Sequence, residues 1–324
     1  NRKLGFSILE ASTIGNIRIV DNAYVSSMVS PKPITSILIT LIFFVLSLIF
    51  ALFRGLYFLP ISNPAEINDA GISLKVFGVI PKRLENDSDQ ELNFSRAIES
   101  CILNINTITN KQDLSSSAIL FTSPTENNGK SLISREVATR LAKMGKKTLL
   151  IDGDLIRGDQ HEDLKINKIS SEEFYKISAE NINKYQMKDL SENLYLIPKV
   201  KRLNDTFNFL YSERYLNKFK ELKAIFEYII IDTPPALSVS DTSILMTLAD
   251  INFLIARHNI SRTNHIKQTF YMSEQIGKKF DGIVYNGFER PKSYYGNYYA
   301  YGDYRYQYYS KKYLQNYSYK LKDD

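Results

Sequence analysis

The sequence predicts an α/β domain, a mostly parallel sheet with helices on both faces, preceded by one membrane-spanning helix. Three observations carry this: one long uncharged apolar run, six short apolar segments separated by helical stretches, and aspartates closing two of those segments. At 324 residues the chain exceeds what one ordinary core needs, so a compact domain with appendages is expected. Lys and Arg number 41 against 35 Asp and Glu, a net charge of +6 that suits an anionic surface or nucleotide and specifies neither. The single cysteine, Cys101, excludes an intramolecular disulfide, and three histidines without metal-ligand spacing exclude a structural zinc site. Cys101 is expected as a small buried residue rather than a nucleophile. The opening on Asn1 rather than Met is expected of a piece of a longer protein.

Residues 34–53 contain no charge, proline or glycine. Twenty helical residues span about 30 Å, the thickness of a hydrocarbon core, and core helices of soluble proteins rarely stay apolar on every face for that length. Arg54 follows where a cleaved leader would need small residues. Arg18 and Lys32 before the run balance Arg54 and Lys75 after it, so flanking charge does not orient the helix. If the later part binds ATP, that part lies in the cytosol and residues 1–33 lie outside.

Residues 54–90, with Pro60, Pro64 and Pro81, read as a juxtamembrane linker. From 91 to 290 apolar runs recur at 118–122, 147–152, 193–198, 228–232, 251–256 and 282–286, with helical stretches at 129–144, 212–226 and 262–277. Strands apolar on both faces and separated by helices imply a parallel sheet covered on both sides.

Directly after the first run comes Pro124-Thr125-Glu126-Asn127-Asn128-Gly129-Lys130-Ser131. It fits G-x-x-x-x-G-K-[ST] at every fixed position except the first, where proline removes an N–H donor. The pattern needs a strand before it and a helix after it, because backbone N–H groups and a helix N-terminus must converge on one phosphate. Both are expected here, which makes the domain a P-loop nucleotide-binding fold. Thr125 through Leu132 would line the phosphates, Lys130 would reach the β/γ-phosphates and Ser131 would ligate Mg2+. Asparagines at 127 and 128 suit a tight loop because asparagine tolerates the left-handed region. The bland alternative is a helix N-terminus with an exposed lysine.

The second apolar run ends in Asp152-Gly153-Asp154 and the fourth in Asp232. In open parallel sheets ligands bind off these carboxyl ends, so three carboxylates are expected near the phosphates. Asp152 is the candidate to take a proton or hold the metal, Asp154 to support it, and Asp232 to bind Mg2+ directly or through water. Each could instead be a helix cap or turn former. Asn286, closing the last run, is a candidate adenine contact or a plain turn residue.

The order GKS, LLIDGDLIR, YIIIDTPP and a terminal tyrosine cluster resembles the bacterial tyrosine kinases joined to polysaccharide co-polymerases, and the similarity extends to the apolar run and the VSPKP at residues 29–33. That resemblance implies Walker A, A′ and B elements, with Lys130 and Ser131 in the first, Asp152 and Asp154 in the second, and Asp232 and Pro235 in the third. It also makes residues 1–33 the extracytoplasmic end of a co-polymerase domain and places the kinase domain on the cytoplasmic side of a bacterial inner membrane. Two positions depart from the family. Ile156 stands where an arginine is usual, with Arg157 next to it, and Asn93 and Glu99 replace the outer residues of an E-x-x-R-x-x-R helix in which only Arg96 matches.

Residues 291–324 carry Tyr294, Tyr295, Tyr298, Tyr299, Tyr301, Tyr304, Tyr306, Tyr308, Tyr309, Tyr313, Tyr317 and Tyr319, that is 12 of the 22 tyrosines in the chain. With few aliphatic residues this tail has little to build a core from, and it reads as flexible. Its tyrosines are the expected phosphoacceptors, and each phosphate would add about −1.5 to −2 charges, turning a basic tail acidic. Membrane-interface, single-strand stacking and sticky low-complexity readings compete, though nucleic acid is not an expected partner.

The expected function is therefore a membrane-anchored autokinase that moves the γ-phosphoryl of ATP to tail tyrosines of a neighbouring copy. The expected partners are those copies, the polysaccharide export machinery and an opposing phosphotyrosine phosphatase. The alternatives are a non-catalytic co-polymerase scaffold and a partitioning or cell-division-site ATPase. The latter usually carries a lysine where Thr125 stands.

Overall fold

In a computed structural model the described residues are 33–58, 60–69, 71, 74–83, 88–111, 116–158, 160–164, 166–201 and 203–289. The expectations for residues 1–32 and for the tyrosine cluster lie outside them. The chain divides into two units, Asn1–Leu56 and Tyr57–Asp324.

The described part of the first unit lies in helix α1 (Pro33–Phe58), within which Pro33–Gly55 is long and apolar enough to cross a membrane, with none of that window buried by protein. Of its polar residues, Thr40 and Ser47 return their hydroxyls to the carbonyls of Ser36 and Phe44. These hydroxyls are thus satisfied within the helix, as an apolar surrounding demands.

The second unit is a seven-stranded parallel sheet in the order β1-β7-β6-β2-β5-β3-β4. Its strands are β1 (Val76–Pro81), β2 (Ser117–Thr122), β3 (Thr148–Asp152), β4 (Leu194–Ile197), β5 (Tyr228–Asp232), β6 (Ile251–Arg257) and β7 (Gly282–Phe288). Two cores flank it, and strand alternation decides which residue enters which. Leu120, Ile151, Ile229 and Ile231 pack on one face with helices α6 (Glu213–Ile225), α7 (Asp241–Leu248) and α8 (Thr263–Gln275). Ile119, Phe121, Leu150 and Ile230 pack on the other with α3 (Ser88–Lys111) and α4 (Lys130–Lys143). Each such side chain gains about 1.5–3 kcal/mol from burial, so a strand occupied on both faces is apolar throughout.

All six expected strands form. The stretch read as a linker, however, already belongs to the folded unit: Val76–Pro81 is the edge strand β1 against β7, following a short helix, α2 (Ala65–Asp69). Its Gly78 and Pro81 masked it, since both are characteristic of loops and are tolerated at a sheet edge. A Cβ on Gly78 would stand 2.3 Å from the sulfur of Cys101, so the glycine lets α3 lie close to this strand. Further upstream, Ile61 is tied in by Ile61 N to Ser261 O at 2.8 Å, Asn259 N to Ile61 O at 2.9 Å and the Tyr285 hydroxyl to Ile61 O at 3.0 Å.

Candidate nucleotide site

The loop from Ser123 to Gly129 joins β2 to α4 at the carboxyl edge of the sheet, where β3 and β5 also end. Two of its residues take positive φ, Asn127 at 62° and Gly129 at 81°. Asparagine fills the first of these left-handed positions and glycine the second, as the loop chemistry requires. Gly129 is the N-cap of α4 and supplies no side-chain hydrogen bond, so the first-turn N–H groups are not spent on a cap and the positive end of the helix faces the loop.

Polar contacts hold the loop in shape. The Asn128 side chain is buried and donates from Nδ2 to Thr125 O at 2.6 Å, while its Oδ1 accepts from the Ser261 hydroxyl at 2.5 Å. Asn286 Nδ2 donates to Asn128 O at 2.9 Å and Arg257 Nη1 to Asn127 O at 2.8 Å. Asn286 therefore lies against the loop backbone, and the geometry gives it a bracing contact in place of a plain strand-end turn. Pro124 is buried at the start of the loop.

Lys130 Nζ lies 3.7 Å from Asp154 Oδ2, with both side chains largely buried. Asp152 and Asp232 are direct neighbours in the β3–β5 register, and Gly153 N donates to Asp232 O at 2.7 Å. Burial pushes the Asp232 carboxyl above the ordinary carboxylate range, and Lys130 together with hydrogen bonds from Gln160 and Ser131 opposes that shift. The segment after Asp232 is laced to β2: Thr122 Oγ1 donates to Pro234 O at 2.9 Å and Ala236 N to Ser123 O at 2.8 Å. Pro235 belongs to this turn, its carbonyl accepting from Ser238 N at 3.0 Å.

The three aspartates share one edge, but they form no cluster of three or more His, Cys, Asp or Glu ligands among the described residues. The expected convergence of three carboxylates on one point is thus looser than anticipated, because Asp154 turns to Lys130 while Asp152 and Asp232 stay with their strands. The donor set fits magnesium, which takes few protein oxygens and keeps its waters. The hydroxyl of Ser131 and the carboxylates of Asp232 and Asp152 are of the right chemistry to hold it.

Ile156 is half exposed, and Arg157 beside it forms an ion pair with Glu126 of the loop. Lys199 donates to the Ile156 carbonyl. On α3, Asn93 and Glu99 are exposed, and Glu99 is engaged within the chain by Arg140 Nη1 at 2.9 Å. Three residues of this region have no motif behind them. Gly158 is one, since a Cβ there would meet Asp152 Oδ1 at 2.2 Å; the others are Ser261 and Gln160.

Loop, helix terminus and acidic strand ends on a parallel sheet define a P-loop nucleotide-binding domain. A family profile described as an AAA domain matches residues 117–277. Over nearly its whole length the chain is a sequence relative of bacterial tyrosine kinases. It is 26% identical over 335 residues to the tyrosine-protein kinase wzc of Salmonella typhi, covering 96% of this chain and 46% of that protein. It is 29% identical over 328 residues to the putative tyrosine-protein kinase AmsA of Erwinia amylovora, covering 90% and 43% respectively. The chain thus spans a little under half the length of these relatives. In structure it resembles the kinase domain of the Escherichia coli tyrosine kinase ETK, with a TM-score of 0.62 at 20% identity, over 72% of this chain and 96% of that one.

Proposed function

We propose that this chain is a membrane-anchored protein-tyrosine kinase that transfers the γ-phosphoryl of ATP to tyrosines of the 291–324 cluster on a neighbouring copy, and so regulates polymerisation or export of a surface polysaccharide. The observation that carries this reading is the Lys130–Asp154 pair standing between an uncapped helix N-terminus and the paired strand ends Asp152 and Asp232. In the reaction a phenol oxygen attacks the γ-phosphorus, the bond to the β,γ-bridging oxygen breaks, and ADP departs. The phenol proton passes to Asp152 or Asp154, and Lys130 with the loop N–H groups balances the charge that builds on the phosphoryl oxygens. Magnesium, held by Ser131 with Asp232 or Asp152, would supply further neutralisation of that charge.

The proposed organisation places residues 1–33 outside a bacterial inner membrane, 34–53 across it, 54–90 as its juxtamembrane linker, though the last of these contributes β1, and the kinase domain at 91–290 in the cytoplasm. A phosphotyrosine phosphatase would reset the tail. Two observations weigh against a partitioning-type ATPase: the kinase names of the sequence relatives, and threonine rather than lysine at position 125. Incubating the membrane-embedded chain with γ-labelled ATP tests the reading. Phosphotyrosine in the 291–324 peptide is the expected result. Free phosphate without labelled protein would point to an ATPase, and an inert chain to a scaffold.

A further inference from the structure

Gln160, first residue of the short helix α5 (Gln160–Asp163), is fully buried although no charge or motif marks it. Its Nε2 donates to Ser131 O at 2.8 Å and to Asp232 Oδ2 at 3.0 Å. Both neighbours are pure acceptors, so the orientation of the amide is fixed: the nitrogen must face them. The other end of the same planar group, Oε1, is buried and has no hydrogen-bond partner among the described residues. A buried carbonyl left in that condition is costly, and an apolar side chain of the same size would fill the space without the cost.

We propose, resting on the nucleotide reading above, that Gln160 is a positioning residue for the cation that accompanies the nucleotide. By occupying Oδ2 while also holding Ser131 O, it ties Asp232 to the first turn of α4, in which Ser131 is the second residue. This fixes the carboxylate relative to the serine hydroxyl and leaves Asp232 Oδ1, itself buried, for the loaded site. The Oε1 of Gln160 then accepts a hydrogen bond from solvent that enters with the cation. The physical logic is that of residues which orient metal ligands without touching the metal, whose loss weakens metal affinity by about 10–100-fold.

The prediction separates the cation from the nucleotide. Gln160→Met keeps the length and removes both donor and acceptor. In calorimetry on the intact chain, its affinity for ADP in EDTA should stay within about twofold of the unaltered protein, while half-saturating Mg2+ rises about tenfold or more. Should Q160M fail to fold, Gln160→Asn, which retains the amide but withdraws it by one methylene, carries the same test. An unchanged Mg2+ response, or equal weakening with and without Mg2+, overturns the assignment while leaving the nucleotide reading of the site standing. An unaltered chain that ignores adenine nucleotide at millimolar concentration overturns the nucleotide reading, and this inference with it.

Discussion

Asn286 closes the space into which a side chain at Gly129 would have to grow. Its carboxamide nitrogen bonds to Asn128 O at 2.9 Å, and a Cβ on Gly129 would approach that nitrogen to 2.2 Å. Residue 129 also sits at φ 81°, a region that costs a non-glycine residue about 1–2 kcal/mol. Gly129→Ala is therefore expected to lower nucleotide affinity about tenfold or more, from strain and overlap together. Adding Asn286→Ala removes the overlap and leaves the strain, so the double variant should recover part of the loss. Calorimetric titration with ADP would show this, and no recovery would mean that the overlap contributes nothing.

Ser261 acts on the same loop from a different side. Its hydroxyl accepts from Arg257 N at 2.8 Å and donates to Asn128 Oδ1 at 2.5 Å, so Ser261→Ala removes the outer anchor of the asparagine that spans the loop. A three- to tenfold loss of nucleotide affinity is expected, corresponding to about 1 kcal/mol for one neutral hydrogen bond. Thr247→Ala, a control hydroxyl whose bond goes to Ile244 O in its own helix, should leave affinity unchanged.

How much of this was legible beforehand depends on whether the information is local. Ile229, Ile230 and Ile231 announce a strand buried on both faces because each enters a core, and the positive φ at Asn127 and Gly129 is prefigured by residues that tolerate it. β1 was not legible, since Gly78 and Pro81 break up its short apolar run with residues typical of loops, and as an edge strand it is only half buried. Gln160, Ser261 and Gly158 were invisible for another reason. Their roles exist only through partners 29 to 133 residues away for the first two, and for Gly158 through the close approach of Asp152. No spacing rule records such contacts.

Burial pushes the Cys101 thiol up to about 12. At pH 8 only about one molecule in ten thousand would then carry the thiolate that reacts. The native chain is expected to resist a thiol reagent for hours and to react fully once denatured. Fast labelling of the native protein would show that α3 opens readily from β1.

Burial makes the Asp232 carboxylate costly to ionise. Its folded pKa is raised above the unfolded value, so ionising it costs the fold. The sign follows from proton binding: below the unfolded carboxylate range both states are protonated and nothing is lost. Stability then falls as pH rises toward the folded pKa and levels off above it. Asp232→Asn should therefore melt higher than the unaltered chain at neutral pH, with the gap closing near pH 3, while phosphoryl transfer is lost by about a hundredfold or more. A variant that melts lower at pH 7 would mean that the carboxylate charge is stabilised by its surroundings.

Lys130 and Asp154 place a charge pair in the same site, and here removal of one member and of both should differ. The ammonium and carboxylate are 3.7 Å apart with side chains 15% and 5% exposed, so each is largely shielded from water. Lys130→Met strands a shielded carboxylate and is expected to destabilise the chain by about 1–3 kcal/mol, below the roughly 3–5 kcal/mol typical when a fully buried pair is broken. Adding Asp154→Asn removes the stranded charge, so K130M/D154N should unfold at higher denaturant than K130M alone. Activity should not follow stability: tyrosine labelling ought to be absent from both variants, because the γ-phosphoryl has lost its cationic partner in each. Denaturant titration beside a labelling assay reads the two effects separately. If restored stability brought restored labelling, Lys130 would serve the fold and not the phosphate.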